Sequence, residues 1–367
     1  MNFNRVVIKV GSALISPDEN GCSGKYLLSI ARFITECHQL GKEVILVSSG
    51  SVAAGRHLIQ HGSPIPSIPT KQAMAAVGQM QMMSNWQRFF DVPCSQLLIT
   101  HADLKNRQRY INIKNTLRAL LRNNIIPIVN ENDTVATDEL KVGDNDNLAA
   151  LVALVSEADS LLILSDIDGV YNKDPRSNND AVMLPEIAEI TDEVYAMAGC
   201  TNNPIATGGM KTKIQAAEKA VENGIETYIL NGEKSEVFHR FLNGENPGTR
   251  FTPKKAAVKA KKHWLKHILK SSGELFLDAG AVNAVLNQGA SLLPAGIVSI
   301  SGEFDAGESI NLVSNENQQV IAKGISQYNE RDLKLIKGEN SENIQSVLGF
   351  CPSKVVMHRD DLVLTDS

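Results

Sequence analysis

Short apolar runs recur in the first part of the chain. Each one is followed by small or polar residues and then by a helical pattern. The runs cover residues 5–12, 43–48, 94–100, 124–130 and 160–166. Strands that alternate with helices in this way form a parallel sheet covered by helices. Because such sheets bind ligands along the carboxyl ends of their strands, we expect functional residues in the turns that follow these runs.

Two of those turns are rich in Asp and Asn. The first covers residues 131–134, and the second, Lys-Val-Gly-Asp-Asn-Asp-Asn at 141–147, runs into an apolar segment with helical spacing. Short polar side chains are favourable at helix starts, where they accept hydrogen bonds from unpaired first-turn N–H groups. We therefore predict that 144–147 begin a helix whose positive end favours anions. Taken alone, this segment also fits an ordinary surface loop with an N-cap.

Lysines stand at two positions that suit an anion. Lys9 interrupts the run 5–12, and burying a lysine within a strand is costly unless its ammonium meets an anion. An edge strand that lets the ammonium reach water is the alternative. Residues 207–213, Thr-Gly-Gly-Met-Lys-Thr-Lys, precede a helical pattern and suit phosphate binding at a helix N-terminus. The chain has neither the Walker spacing nor G-x-G-x-x-G, so a P-loop and a dinucleotide site are unsupported.

These groups together fit phosphoryl transfer, in which the protein mainly positions the reactants and neutralises charge on the moving group. No nucleophile–base triad stands out in the sequence. That agrees with an acceptor such as a carboxylate or a phosphate, which is already ionised at neutral pH and needs no general base.

The composition changes near residue 252. Lysines crowd the segment that follows, and short β-like runs separated by glycine turns come next, at 273–278, 296–302, 309–313 and 320–324. We therefore predict a first domain over 1–252, a basic linker over 253–270, and a small β-rich domain over 271–367. The run 224–232 is predicted to be the last strand of the first domain.

Charge and cysteine usage exclude several other classes of protein. A formal net charge of −5 argues against a chain whose main partner is nucleic acid. The five cysteines are scattered and form no CxxC pair, so neither a zinc site nor a disulfide framework is predicted. The chain begins without a basic and then apolar leader, and no apolar stretch approaches membrane-spanning length. We expect a cytoplasmic protein with no membrane partner.

Six motifs carry a specific resemblance. They are IKVGSALI, VSSGSVAAG, VNENDTVAT, KVGDNDNLAAL, LSDIDGVY and TGGMKTK, and in this order they resemble the glutamate 5-kinases, a branch of the amino-acid kinase family. The tail is similar to the PUA domain of bacterial members. The resemblance implies an α/β fold, a three-layer αβα sandwich with a mainly parallel sheet, followed by a small β-rich PUA-like domain. It also implies ATP-dependent phosphorylation of the γ-carboxylate of L-glutamate to γ-glutamyl 5-phosphate, the first step of proline biosynthesis.

The resemblance implies a role for individual residues. Lys9 and Lys213 would stabilise the transferring phosphoryl group, and Asp146 would orient them. Asp133 would bind the ammonium of glutamate, while Ser49 and Asn145 would hydrogen-bond its carboxylate. The residues that would meet ATP are Lys9, Ser165, Asp166, Thr207, Gly208, Gly209, Met210, Lys211, Thr212 and Lys213. Mg²⁺ would be held mainly by the nucleotide phosphates, in keeping with its usual ligands. Ser165 stands where members often carry Thr, and its hydroxyl preserves the chemistry.

The resemblance also implies partners. These are L-glutamate and ATP as substrates, proline as a feedback inhibitor, a second copy of the chain in a homodimer or homotetramer, and glutamate-5-semialdehyde dehydrogenase as recipient of the product. The charged segment 101–109 resembles the loop that covers the glutamate site in the family, and a solvated helix start is the alternative. Related kinases of aspartate, acetylglutamate, carbamate or UMP are rival assignments. RNA binding is favoured only by the tail and the basic linker.

Overall fold

The computed structural model describes residues 3–18, 20–60, 62, 65–136, 145–199, 209–253 and 271–365. The chain divides into two compact units. The first unit comprises Met1–Leu104 and Thr116–Ala257, and the second comprises Lys105–Asn115 and Val258–Ser367. Residues 254–270, which make up nearly all of the expected basic linker, lie outside the described residues.

Within the described residues, the first unit contains an eight-stranded sheet in the order β3-β4-β2-β1-β5-β7-β8-β6. All neighbouring strands are parallel except β7 and β8, which run antiparallel. The strands are β1 Arg5–Val10, β2 Glu43–Ser48, β3 Cys94–Ile99, β4 Ile126–Glu131, β5 Ser160–Ser165, β6 Glu186–Ile187, β7 Glu226–Asn231 and β8 Thr249–Phe251. The mainly parallel sheet that the sequence predicts is confirmed.

Helices lie between these strands along the chain. They are α1 Ser12–Ile15, α2 Leu27–Gln39, α3 Ser51–Gly55, α4 Ile68–Phe89, α5 His101–Lys105, α6 Arg107–Arg122, α7 Asn145–Val155, α8 Asp192–Gly199, α9 Met210–Glu222 and α10 Ser235–Leu242. The residues of α5 and α6 within Lys105–Asn115 belong to the second unit. The predicted helix start at 144–147 is confirmed from Asn145 onward. Residues 137–144 lie outside the described residues.

Strand β1 shows why the sheet has helices on both faces. Its side chains alternate between the faces, as in any strand. Val6, Ile8 and Val10 belong to a core that also contains buried residues of α2, α4 and α10. Val7 and Lys9 point to the other face, and both are buried there. Helix α7 packs against β1 and β5, which gives the three-layer αβα arrangement.

The expectation that 224–232 forms the last strand of this domain is wrong. Strand β7 occupies Glu226–Asn231, but β8 then adds to the sheet antiparallel to it, with Thr227 paired to Phe251. Strand β8 covers only three residues. Such a run is too short to show the two-residue periodicity by which strands are recognised in a sequence.

The charged segment 101–109 is helical. Helix α5 begins after Thr100, whose side chain and backbone both donate to the Asp103 carboxylate while the Asp103 backbone donates to the Thr100 hydroxyl. Helix α6 begins after Asn106, whose side chain accepts from the Arg109 backbone. The expected helix start is therefore confirmed. That the segment covers the glutamate site stays a prediction. His101 lies beside the end of β4, with its Nδ1 3.4 Å from Glu131 Oε2.

Within the described residues, the second unit contains a five-stranded sheet in the order β10-β9-β11-β12-β13. Its strands are β9 Gly273–Leu277, β10 Ile297–Gly302, β11 Ser309–Ser314, β12 Val320–Ile325 and β13 Leu362–Leu364. The helices α11 Ala279–Asn287, α12 Glu330–Ile336 and α13 Ile344–Leu348 accompany them around a separate apolar core. The small β-rich domain that the sequence predicts is confirmed. No helix in the described ranges is long and apolar enough to cross a membrane.

Candidate active site

Asp146, in the first turn of α7, brings two lysines together. Its Oδ1 lies 2.7 Å from Lys9 Nζ, and its Oδ2 lies 3.1 Å from Lys213 Nζ. The Thr212 hydroxyl donates to the same Oδ2 over 2.7 Å. We call Lys9, Asp146 and Lys213 the lysine–carboxylate cluster. All three residues are at most 4% exposed.

The positions of the two lysines in this cluster follow from the strand and the helix that carry them. Lys9 is the fifth residue of β1, on the face that α7 covers. Strand β1 lies between β2 and β5, so the edge-strand alternative for Lys9 is wrong. Lys213 lies in the first turn of α9, just after the N-cap Gly209. Two positively charged helix ends and two ammonium groups therefore surround one carboxylate.

The electrostatics keep Asp146 ionised. Burial alone raises the pKa of this carboxyl, but the charges of Lys213 and Lys9 and the hydrogen bonds from Lys9 and Thr212 outweigh burial. The pKa of Asp146 consequently lies well below its usual range. With one negative and two positive charges, the cluster retains an excess positive charge in a buried place. It is suited to stabilising an additional anion.

Next to the cluster, three amide side chains form a hydrogen-bonded series. Asn145 Nδ2 donates to Asn130 Oδ1 over 2.8 Å, and Asn130 Nδ2 donates to Gln79 Oε1 over 2.9 Å. We call Gln79, Asn130 and Asn145 the amide chain. Asn145 Nδ2 also donates to Ser49 Oγ, 3.1 Å away. The amide chain connects α4, β4 and α7. It adjoins the lysine–carboxylate cluster, because Asn145 immediately precedes Asp146.

Asp133 belongs to the same end of the sheet. Its Oδ2 accepts a hydrogen bond from the Ser51 hydroxyl over 2.6 Å. Ser51 is the first residue of α3 and directly follows the turn that carries Ser49. The structure therefore ties the serine turn after β2 to both predicted partners, Asn145 and Asp133.

A cleft extends from the lysine–carboxylate cluster over the end of β5. Ser165 and Asp166 lie in it, and the Ser165 hydroxyl donates to Asp166 Oδ1 over 3.0 Å. The lining residues are Ser165, Asp166, Ile167, Gly169, Tyr171, Lys173, Asp174, Pro175, Arg176, Met197, Gly209, Met210 and Lys213. Of the expected nucleotide residues, Thr207 and Gly208 lie outside the described residues. Lys211 and Thr212 are on the first turn of α9 but do not line the cleft.

Comparison with known proteins assigns this arrangement to a family. The model of the amino acid kinase family matches residues 4–231, and the model of the PUA domain matches residues 273–348. The chain belongs to the amino acid kinase family. The first match contains every member of the lysine–carboxylate cluster and the amide chain.

Individual relatives of this amino acid kinase cover nearly the whole chain. It is 51% identical to the glutamate 5-kinase of Idiomarina loihiensis over 100% of this chain and 98% of the relative. It is 50% identical to the glutamate 5-kinase of Salinibacter ruber over 99% of this chain and 98% of that protein. Among solved structures, the UMP kinase of Bacillus anthracis is similar with a TM-score of 0.48 and 18% identity, covering 69% of this chain and 97% of that one.

The sequence did not lead us to three residues that border the candidate active site, namely Gln79, Asn130 and Ser51. All three are buried, and none was singled out. Asn130 and Ser51 are hydrogen-bonded to the expected residues Asn145 and Asp133, and Gln79 is connected to Asn145 through Asn130. A signal for Gln79 was present, since it is the one strongly polar residue in the buried stripe of α4, which otherwise comprises Met74, Ala75, Gly78, Met82 and Trp86. An uncharged polar residue in an apolar stripe is a reason to look for a partner.

Proposed function

We propose that this chain transfers the γ-phosphoryl group of ATP to the γ-carboxylate of L-glutamate, forming γ-glutamyl 5-phosphate for proline biosynthesis. The lysine–carboxylate cluster carries the proposal, because it gathers buried positive charge where a phosphoryl group can be stabilised. The relatives named glutamate 5-kinase, at 50–51% identity over nearly the full chain, support the choice of acceptor.

The reaction needs charge stabilisation rather than proton abstraction. The γ-carboxylate is ionised at neutral pH, so an oxygen lone pair attacks the γ-phosphorus directly while the bond to the ADP oxygen breaks. We assign Lys9 and Lys213 to the negative charge on the transferring group and on the leaving oxygen. Asp146 holds the two ammonium groups in position from opposite carboxylate oxygens, 2.7 and 3.1 Å away.

Substrate and nucleotide occupy different sides of the cluster in this proposal. Ser49, Asp133 and Asn145 bind L-glutamate, which is supported by their hydrogen-bonded grouping at the ends of β2, β4 and α7. ATP occupies the cleft beyond the cluster, where Ser165, Asp166, Gly209, Met210 and Lys213 are lining residues. The N-terminus of α9 opens into this cleft and favours phosphate.

Magnesium fits this site as a partner of the nucleotide. In the described parts of the chain, no three His, Cys, Asp or Glu side chains converge as a metal site. Both oxygens of Asp146 already contact lysine or threonine. Phosphate oxygens and water would therefore hold Mg²⁺, with Asp166 and Asp174 as acidic side chains that line the cleft. When bound, the ion would neutralise phosphate charge.

Other parts of the proposal concern partners. Helix α4 exposes 36% of Val77 and 71% of Met80, which supports contact with a second copy in a homodimer or homotetramer. Helix α5 begins beside the end of β4, which supports proline acting near the glutamate site. An acyl phosphate hydrolyses readily in water, which supports direct hand-over to glutamate-5-semialdehyde dehydrogenase.

The test is ATP consumption by the purified full chain with Mg²⁺ and hydroxylamine, which traps acyl phosphates as hydroxamates. L-glutamate, L-aspartate and N-acetyl-L-glutamate are compared, and Asp146→Asn is the control for contaminating kinases. We expect hydroxamate from L-glutamate alone. Hydroxamate from another acid would reject the acceptor, and none from any acid would reject acyl phosphate formation.

A further inference from the structure

Gln79 is a buried polar residue to which neither the reaction nor its binding groups gives a role. It lies on α4, is 6% exposed, and is connected to the expected substrate residue Asn145 only through Asn130. Asn130 is 1% exposed. Burying an amide in a helix stripe that is otherwise apolar disfavours folding unless its hydrogen bonds are made.

The direction of every hydrogen bond in the amide chain is fixed by the backbone. The Glu131 N–H donates to Asn130 Oδ1 over 2.9 Å. A backbone N–H can only donate, so this atom of Asn130 must be the carbonyl oxygen. Asn130 consequently turns its NH₂ group to Gln79 Oε1, and Asn145 must offer its own NH₂ group to Asn130.

This direction determines what Asn145 can offer to a ligand. Its Nδ2 donates to Asn130 Oδ1 and to Ser49 Oγ, so both amide hydrogens are in use. The Asn145 carbonyl oxygen is left to act as an acceptor, which suits an ammonium group. The expectation from the resemblance, that Asn145 hydrogen-bonds the carboxylate of glutamate, is therefore replaced here by a contact with the ammonium. Ser49 accepts from Asn145 and retains its own hydrogen for donation to a carboxylate.

Asp133 also suits the ammonium and not the carboxylate of the substrate. Its carboxylate accepts from the Ser51 hydroxyl and remains an acceptor-only group, so it too suits an ammonium. Helix α4 is pressed onto α3 next to these residues. A Cβ on Gly78 would lie 1.9 Å from the Ser51 carbonyl oxygen, and one on Gly55 would lie 2.1 Å from the Met74 carbonyl oxygen. This close approach fixes α4, and with it Gln79, beside α3.

The structure assigns to Gln79 a positioning role: through Asn130 it keeps the carbonyl oxygen of Asn145 directed at the α-ammonium of the amino-acid substrate. The inference rests on the proposed function, because it takes the acceptor to be an α-amino acid. Gln79 Nε2 is buried and has no hydrogen-bond partner among the residues that the structure describes. A side chain retained only for stability would satisfy that group or be apolar.

The experiment compares Gln79→Met with the wild type in steady-state assays of the full chain. Methionine has a similar length and removes the acceptor. Asn130 then keeps the hydrogen bond from the Glu131 backbone, but its NH₂ group loses the acceptor that anchors it. We expect KM for L-glutamate to rise about tenfold, with kcat and KM for ATP within about twofold. The inhibition constant of glutarate, which has both carboxylates but no ammonium, should stay within about twofold.

Two further variants test the assignment. Gln81→Met makes the same substitution two residues further along α4, on a different face of the helix and outside the amide chain. It should leave every constant unchanged. Gln79→Glu keeps an oxygen facing Asn130 and should recover much of the affinity for L-glutamate. Melting temperatures are measured for each variant, and those of Gln79→Met and the wild type should be close, since one unpaired group replaces another.

The possible results separate the inference from the proposed function. An unchanged KM for L-glutamate in Gln79→Met overturns the inference. An equal weakening of L-glutamate and glutarate also overturns it, since the ammonium would then not be the group affected. If Gln79→Met does not fold, weak L-glutamate binding by folded Gln79→Glu overturns it as well. A wild type that is inactive with L-glutamate overturns the proposed function and removes the basis of the inference.

Discussion

The lysine–carboxylate cluster and the amide chain meet at adjacent residues of one helix turn, yet one is built from charges and the other from neutral hydrogen-bonding groups. Asp146 and its two lysines carry full charges that compensate one another only in part. Asn145 and its two amide partners carry no charge, but each of their hydrogen bonds has a fixed donor and a fixed acceptor. Buried charge is suited to an anion that appears or moves during a reaction. A directed neutral chain is suited to distinguishing donors from acceptors on a ligand.

The comparison predicts that variants of the two regions differ in which kinetic constant changes. Loss of a charge from the cluster should appear in kcat, because the stabilised charge develops in the transition state. Loss of a hydrogen bond from the amide chain or its neighbours should appear in KM for the amino acid. A cluster variant that changes mainly KM for the amino acid, or an amide-chain variant that changes mainly kcat, would contradict this assignment.

The largest effect is expected for Lys213→Met, which removes the charge but keeps an unbranched side chain. We expect kcat to fall by about 10²–10³, with KM for L-glutamate within about threefold. Rapid-quench or steady-state measurement of hydroxamate formation gives both constants. Lys219→Met is the matched control, since that lysine lies on the same helix but contacts Asn147. Turnover of Lys213→Met near that of the control would exclude Lys213 as the charge stabiliser.

Asp146→Asn should reduce kcat by about 10², because both lysines lose the group that orients them. It should also lower the free energy of unfolding by about 3–5 kcal/mol, since two buried ammonium groups lose their counter-charge. Urea unfolding measures the second effect. Asp180→Asn is the control, because its ion pair with Lys173 is exposed and should contribute less than about 1 kcal/mol. A tenfold rise in KM for L-glutamate with unchanged kcat would contradict the orienting role.

The two regions also differ in how far the sequence predicts them. Lys9, Asp146 and Lys213 were predictable as a group because lysines are conspicuous in a buried strand or after paired glycines, and because the motifs resemble a known family. Strands β1, β2 and β5 were predictable for a related reason, since each is an apolar run bounded by turn residues.

The amide chain was not predictable in the same way. Gln79 interrupts the apolar stripe of α4, but nothing in the sequence indicates that its partner is Asn130, which is far away along the chain. Their meeting depends on the close packing of α3 and α4 at Gly55 and Gly78, which is a tertiary property. Strand β8 was missed because three residues give no period, and its pairing with β7 is likewise long-range.

A smaller effect is expected for Ser49→Ala, which removes a donor from the recognition side. We expect KM for L-glutamate to rise about tenfold while kcat changes by less than about threefold. Ser48 provides the control, because its side chain accepts from Trp86 Nε1 on the opposite face of the sheet. Ser48→Ala should destabilise the fold by about 1–3 kcal/mol without changing KM. If Ser49→Ala lowers kcat instead, the serine turn acts on the phosphoryl group and the division between the regions fails.

The smallest effect concerns pH. The folded pKa of Asp146 lies below its usual value, so its contribution to stability is fully present above the unfolded pKa of about 4 and is lost as pH falls through the folded value. The difference in unfolding free energy between wild type and Asp146→Asn should therefore be constant between about pH 6 and 8 and should shrink below about pH 4. Urea titrations at several pH values measure this difference. Ser49→Ala carries no charge change and should differ from the wild type by the same amount throughout. A difference for Asp146→Asn that shrinks already near pH 6 would mean that this carboxyl titrates close to neutrality, and the two lysines could not then be holding it ionised.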